Sequence, residues 1–424
     1  MVSLTSLALM THIGLLSSGL SEPINNHIFG AKTQAVGALT AYPRDNRYGA
    51  PVIFQGSDTP LVVRFDILEP ERRYLRYSLV HCDATWQKDM LQPIEFTNGF
   101  NEGSIDNVAY SQGTLIPYVH YSLELPNEQV VPTVSGNYIL NIYDEESPDS
   151  IMASIPFMVS EQTVRTGVAV TGRTDYDYNN AHQQLEITTD IAGLDINDPW
   201  NDVKVVITPN NRAEASRYIK RPLRVNGTTA TFAHDPALTF EAGKEYRRFE
   251  TVSTSRYLPM GVELVAFQDP WYHFKLYDDG PRADTDYTYD QTQFGRFTIN
   301  ADNVDNPDIQ SEYVKVHFSL DIPEQPEASV IVMGELTGNR TDNESPGLMT
   351  YNRVSERYEK VLTLKQGSYN YLYMLVPDGK PASPAYIEGN DYRTANRYDI
   401  AIYYRAPGAR YDRLIGFSTI ISGT

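Results

Sequence analysis

The feature that most constrains this chain is the stretch 364–373, LKQGSYNYLY, read with the apolar run 330–333 and Gly334 ahead of it. Tyr369, Tyr371 and Tyr373 alternate with Ser368, Asn370 and Leu372, the two-residue period of a strand with one face on a core. The run 358–364 (YEKVLTL) alternates in the same way. The two runs are therefore expected to form a hairpin closed by a turn at Lys365, Gln366 and Gly367. A small β-sandwich over the last third of the chain follows, with no catalytic centre visible in it.

Short alternating runs recur upstream. Those at 61–65, 74–80, 118–125 (YVHYSLEL), 136–143 (GNYILNIY) and 155–159 are separated by turn-rich breaks such as Glu69-Pro70-Glu71 and Pro126-Asn127. That spacing predicts a sandwich resembling immunoglobulin or fibronectin type III modules, with Trp86 as a core anchor. A second series follows at 184–189, 203–208, 228–232, 246–252, 261–266, 294–299 and 313–320. The polar segment 300–307, which carries a proline, has the composition of a linker. The 424 residues are too many for one sandwich. The expected organisation is an all-β chain of tandem β-sandwich domains: an immunoglobulin/fibronectin-like sandwich at 35–160, a middle β-domain at 161–307 and an early-set-like sandwich at 308–424. No stretch of helical period and no solenoid repeat is present.

The formal charge of −19 argues against nucleic acid or an anionic lipid surface as partner, since phosphate contacts need clustered lysine and arginine. Residues 4–20 (LTSLALMTHIGLLSSGL) read as the apolar core of a secretory signal, so 1–21 is expected to be a signal peptide although no basic residue precedes the apolar run. It is too short and broken for a bilayer span, and no later run reaches 18 apolar residues, so no direct membrane insertion is expected.

Tests for chemistry return little. The single cysteine, Cys82, has no partner for a disulfide, and His81 beside it points to the opposite face of a strand, so a buried structural thiol is expected. The acidic loop with Asp278, Asp279, Asp284, Asp286 and Asp290 loses the calcium-loop pattern after Asp284-Thr285-Asp286-Tyr287. His81, His120, His182, His234, His273 and His317 are scattered, with no zinc-binding spacing. No nucleophile elbow, phosphate-cradling loop or dinucleotide fingerprint occurs, and no carboxylate pair is nominated by pattern. The expectation is a non-enzyme with no catalytic residues, no cofactor, no metal and no small-molecule substrate. Tyrosine is enriched, at 30 against 15 Phe and 3 Trp, which suits half-buried strands and also protein interfaces.

Several strings resemble one family. They are His81-Cys82-Asp83 with Trp86; Tyr118-Val119-His120-Tyr121 with Leu125-Pro126-Asn127; Ser135-Gly136-Asn137-Tyr138; and Ala242-Gly243-Lys244-Glu245-Tyr246-Arg247. Further on come Leu364-Lys365-Gln366-Gly367 with Tyr369-Asn370-Tyr371, Glu388-Gly389-Asn390 with Thr394-Ala395-Asn396-Arg397-Tyr398, and Arg410-Tyr411-Asp412 with Leu414-Ile415-Gly416. In this order they resemble the plug protein of the type IX secretion system of the Bacteroidetes. Lys244-Glu245 stands where that family tends to have an asparagine-glutamate pair. The resemblance implies a periplasmic protein, associated with the inner face of the outer membrane, that reversibly occludes the translocon, a wide outer-membrane β-barrel. Its partner would be that barrel, through residues the sequence does not identify. A non-occluding periplasmic adaptor is the first alternative. The second is a glycan-binding module, because the last third also resembles early-set sandwiches that accompany glycogen-binding modules. All three tryptophans, Trp86, Trp200 and Trp271, lie outside 308–424, however, and Asn339-Arg340 occupies the loop where a stacking residue would be expected; Tyr351 is a candidate substitute.

Overall fold

Three hydrophobic cores organise the chain, each between two β-sheets. In the computed structural model, residues 30–255 and 258–423 are described. The segment 1–21 read as a signal peptide lies outside them.

The first core is enclosed by a six-stranded sheet and a four-stranded one. The larger is centred on Leu75–Cys82, Gly136–Asp144 and Ser147–Ser160, and the smaller runs in the order Val36–Pro43, Leu61–Ile67, Val119–Leu125, Asn107–Tyr110. Inward residues alternate as a half-buried strand requires: Leu61, Val63, Phe65 and Ile67 fill the core, while Arg64 and Asp66 take the other face. Phe65 stacks on Tyr121 of the neighbouring strand, with ring centroids 5.2 Å apart.

The second sandwich is discontinuous. One sheet comprises Arg165–Thr171, His182–Asp190, Thr229–Phe232 and Arg224–Asn226, with Thr239–Glu241 paired to His182–Asp190. The facing sheet runs Arg217–Ile219, Val203–Pro209, Arg397–Tyr404, Arg413–Ile421, so its last two strands come from the C-terminus. The cut expected between 307 and 308 does not follow this pairing. Ile400, Ile402 and Tyr404 share a core with Val203, Val205 and Ile207. Segment 300–307, taken as a linker for its polarity, connects two strands of one core, Phe297–Ile299 and Tyr313–Leu320.

The third sandwich is inserted into the second. Its five-stranded sheet runs Val262–Gln268, Trp271–Leu276, Tyr313–Leu320, Arg357–Lys365, Thr350–Asn352, and its other sheet gathers Arg247–Glu250, Phe297–Ile299 and Ala328–Met333 around Gly367–Pro377. The expected hairpin at 365–367 is therefore absent. Arg357–Lys365 and Gly367–Pro377 lie in opposite sheets, and the chain arches between them at Gln366. That arch is held from both sides: the Gln366 amide donates to the Thr251 carbonyl and accepts from the Glu312 amide at 2.9 Å. Gly367 is there for close approach, since a Cβ at this position would lie 2.3 Å from the Thr298 carbonyl oxygen. Both faces of Gly367–Pro377 are covered, Tyr369, Tyr371 and Tyr373 by the sandwich core and Leu372 and Met374 by Tyr246, Ile331 and Met333.

Candidate functional site: the junctions between the sandwiches

Several fully buried polar residues lie where one sandwich meets another, and strings that carry the family resemblance meet there too.

Between the first and third sandwiches, Asp66 occupies the outward face of Leu61–Ile67 yet has no exposed surface. Its Oδ2 accepts from Lys365 Nζ at 2.6 Å and from the Tyr313 hydroxyl at 2.7 Å, and its Oδ1 lies 2.7 Å from His120 Nδ1. Lys365 Nζ also donates to the Asp308 carbonyl and sits 4.1 Å from the centre of the Tyr118 ring. Two hydrogen-bond acceptors and an aromatic face thus surround the ammonium, which an enclosed lysine needs in place of water. Burial pushes the Tyr118 and Tyr313 hydroxyls above the ordinary phenol range, and the Asp66 carboxylate adds to it. Both tyrosines are thus held as neutral donors. Arg64 pairs with Asp308 at 2.8 Å, and the Glu312 carboxylate accepts from the Leu115 and Ile116 amides at 2.6 and 3.1 Å. The approach depends on Gly37, whose Cβ would fall 2.4 Å from the Tyr313 hydroxyl.

Between the first and second sandwiches, three of the strings converge. Asp412 accepts from the Ala84 amide at 2.9 Å while Arg405 grips it with two bonds of 2.8 Å. The Tyr403 hydroxyl donates to Asn137 Oδ1 at 2.6 Å, and Asn137 in turn donates to the Asp83 carbonyl at 2.8 Å. Arg413 pairs with Glu161, which also accepts from the Ser135 hydroxyl at 2.6 Å. Burial opposes ionisation of Glu161, but Arg413 and Ser135 outweigh it and hold the carboxyl below its ordinary range. Around these bonds Val52, Ala84, Val206, Leu414 and Phe417 form a small apolar cluster.

At the third junction the insertion leaves and re-enters the second sandwich. The Gly243 amide donates to Asn390 Oδ1 at 2.7 Å, and the Gly243 carbonyl accepts from the Thr394 hydroxyl at 2.8 Å and the Asp391 amide at 2.9 Å. Just inside, Arg247 bridges Glu388 at 3.1 Å and Asp279 at 2.6 Å, and Arg282 reaches Glu388 at 2.5 Å. Burial works against the Glu388 charge, but Arg247 and Arg282 prevail and lower its pKa. Lys244, at the position where the family tends to have asparagine, donates to the Arg282 and Thr285 carbonyls at 2.6 and 2.8 Å.

Several of the residues tested for chemistry have structural partners. Cys82 and His81 are both buried; burial pushes the thiol up to about 12, and His81 is held by Asp89 and the Ser135 carbonyl. In the acidic loop, Asp278, Asp279 and Asp290 pair with Arg357, Arg247 and Arg248. Among the described residues no group of three or more His, Cys, Asp or Glu could hold a metal. His273 and His317, far apart in sequence, do meet: Nδ1 of the first lies 2.8 Å from Nε2 of the second on adjacent parallel strands. Tyr351 packs against Tyr358 in a T-shaped pair with ring centroids 5.1 Å apart. Sequence reasoning missed Asp66, Asp308 and Glu312, and it reads Gln366 as a hairpin turn residue where the structure makes it the brace of an arch. The one available signal was Arg64 and Asp66 on the outward face of a strongly apolar strand.

The fold and its junctions define an all-β protein of three interlocked sandwiches. Residues 36–161 match the family model of the type 9 secretion system plug protein first domain. A solved structure, a hypothetical protein from Parabacteroides merdae ATCC 43184, superposes with a TM-score of 0.90 at 38% identity, covering 93% of this chain and 99% of that one. Dimeric latent PorU from Porphyromonas gingivalis overlaps only at a TM-score of 0.12 and 8% identity, over 91% of this chain and 33% of that one, too weakly for any inference. No curated protein matches. Over residues 36–161 the chain carries the first domain of the type IX secretion system plug protein family. It is thereby associated with the secretion machinery of the cell envelope, in a family of non-catalytic components.

Proposed function

We propose that this protein is a periplasmic plug that reversibly occludes the outer-membrane translocon barrel of the type IX system from its inner face. The observation that carries the reading, beside family membership, is the buried polar lock at each junction. A body that fills a wide pore must resist bending between its parts, and charged groups buried in mutual contact resist separation because pulling them apart leaves a charge unpaired in a dry site. The lock around Asp66 and Lys365 joins residues 299 positions apart in the sequence.

Reversible occlusion calls for an interface of ordinary size, not the larger and more apolar kind of obligate partners. A chain of net charge −19 can leave its barrel without adhering to anionic lipid. The experiment is affinity isolation of the tagged chain from solubilised outer membranes. The barrel is expected to co-purify in stoichiometric amount, and its absence from the eluate would count against the reading.

A further inference from the structure

The three sandwiches enclose a crevice of about 1120 Å³, lined by the 30–41 segment of the first, Val206 to Ser216 of the second, and the 335–346 loop and the edge of the 360–365 strand of the third. Small-molecule pockets typically run from about 300 to 1,000 Å³, so the space is ample for an organic ligand.

Its charge is anomalous for so acidic a protein. Lys32, Lys315 and Lys360 all line it, and none has a carboxylate partner, although the chain holds 54 acidic residues against 35 basic. The carboxylates that line the crevice are engaged by arginines: Glu214 by Arg212, Glu335 by Arg296, Asp342 and Glu344 by Arg340, Asp399 by Arg397. Burial lowers the pKa of all three lysines, and for Lys32 the nearby Arg340 guanidinium lowers it further. Arg296, only 3% exposed, adds a fourth cation to the wall; its contact with Glu335 is a long 3.5 Å, and its Nη2 makes no hydrogen bond. Lys315 and Lys360 are partly withdrawn from water with no counter-charge, which is costly unless an anion joins them.

Apolar and aromatic side chains form part of the wall. Trp271 lies against Lys315, whose Nζ is 4.2 Å from the ring centre, and Trp86, Met158 and Phe417 line another side. We infer that the crevice binds a small organic anion with an apolar body and a carboxylate or phosphate head, the head held by Lys32, Lys360 and Arg296 and the body against the tryptophans. This holds whether or not the protein occludes a barrel.

The test is fluorescence titration of the full chain with 8-anilinonaphthalene-1-sulfonate, and in parallel with N-phenyl-1-naphthylamine, which has the same body and no charge. Saturable binding of one sulfonate per chain is expected, with energy transfer from tryptophan that falls in Trp271→Phe and much weaker binding of the neutral dye. Lys32→Gln with Lys360→Gln should weaken the sulfonate about tenfold, as loss of charge-assisted contacts does, while melting temperature and affinity for the neutral dye stay put. Decanoate and decyl phosphate, added as competitors, distinguish a carboxylate head from a phosphate head by which displaces the dye. Equal affinity for both dyes, unchanged sulfonate binding in the double variant, or displacement by neither competitor would overturn the inference.

Discussion

Lys365 Nζ lies 2.6 Å from Asp66 Oδ2, and neither side chain has more than a trace of exposed surface. Removing one partner of such a pair leaves the other charged and unpaired, which costs about 3–5 kcal/mol, whereas replacing both by groups of similar shape is far milder. Lys365→Met should therefore destabilise the protein by about that amount in urea unfolding. Adding Asp66→Asn to it should restore much of the loss. A double variant no more stable than Lys365→Met would mean that the pair does not lock the two sandwiches.

The arch at Gln366 makes a steric prediction. Gly367→Ala places a methyl group against the Thr298 carbonyl and should cost about 1–3 kcal/mol, the usual penalty of overpacking. Gly280→Ala, where a Cβ meets nothing within 4 Å, should stay within about 0.5 kcal/mol of wild type. Had residues 358–373 formed a hairpin with an open turn, both substitutions would be equally mild.

Acid should loosen the third sandwich through Glu388. Its pKa is held below the ordinary value of about 4.3, so its ionised form stabilises the fold fully above that pH, and the contribution disappears as the pH falls through the lowered native value. Glu388→Gln should be markedly less stable at pH 7, leaving Arg247 and Arg282 unpaired, and the gap to wild type should narrow steadily toward pH 3. A gap independent of pH would contradict the assignment.

How much of this was legible in the sequence divides along one physical line. Alternation placed the strands: runs expected at 118–125, 136–143, 203–208 and 313–320 correspond to Val119–Leu125, Gly136–Asp144, Val203–Pro209 and Tyr313–Leu320. A two-residue period says which face is buried but not which strand lies alongside. Hence the run 358–364 reads as a hairpin with its successor, and chain order assigns Arg397–Tyr404 to the last sandwich, although it pairs with Val203–Pro209 of the second. Asp66 stayed invisible for a related reason: its face of the strand looks solvent-bound until a sandwich more than two hundred residues away covers it.

Strand pairing across the insertion has its own test. A fragment of residues 161–307 lacks the two C-terminal strands that complete the second sandwich and should show no cooperative melt. A chain in which 245–390 is replaced by a short glycine-serine linker keeps them, and its ends are already adjacent, since the Asp391 amide reaches the Gly243 carbonyl at 2.9 Å. Its residues 164–423 should melt cooperatively and resist proteolysis. Cooperative folding of the 161–307 fragment would contradict the discontinuous topology.

The most direct test of the plug itself is the permeability of cells that lack it. With the gene deleted and the barrel still assembled, entry of large antibiotics or dyes that an intact outer membrane excludes is expected to rise, and to return to the parental level when the intact chain is supplied. A protein that served the secretion machinery without filling its pore would give the opposite pattern, failed secretion with a tight membrane. If the deletion strain, depleted of cargo, excludes large solutes as well as its parent does, the protein is not a plug.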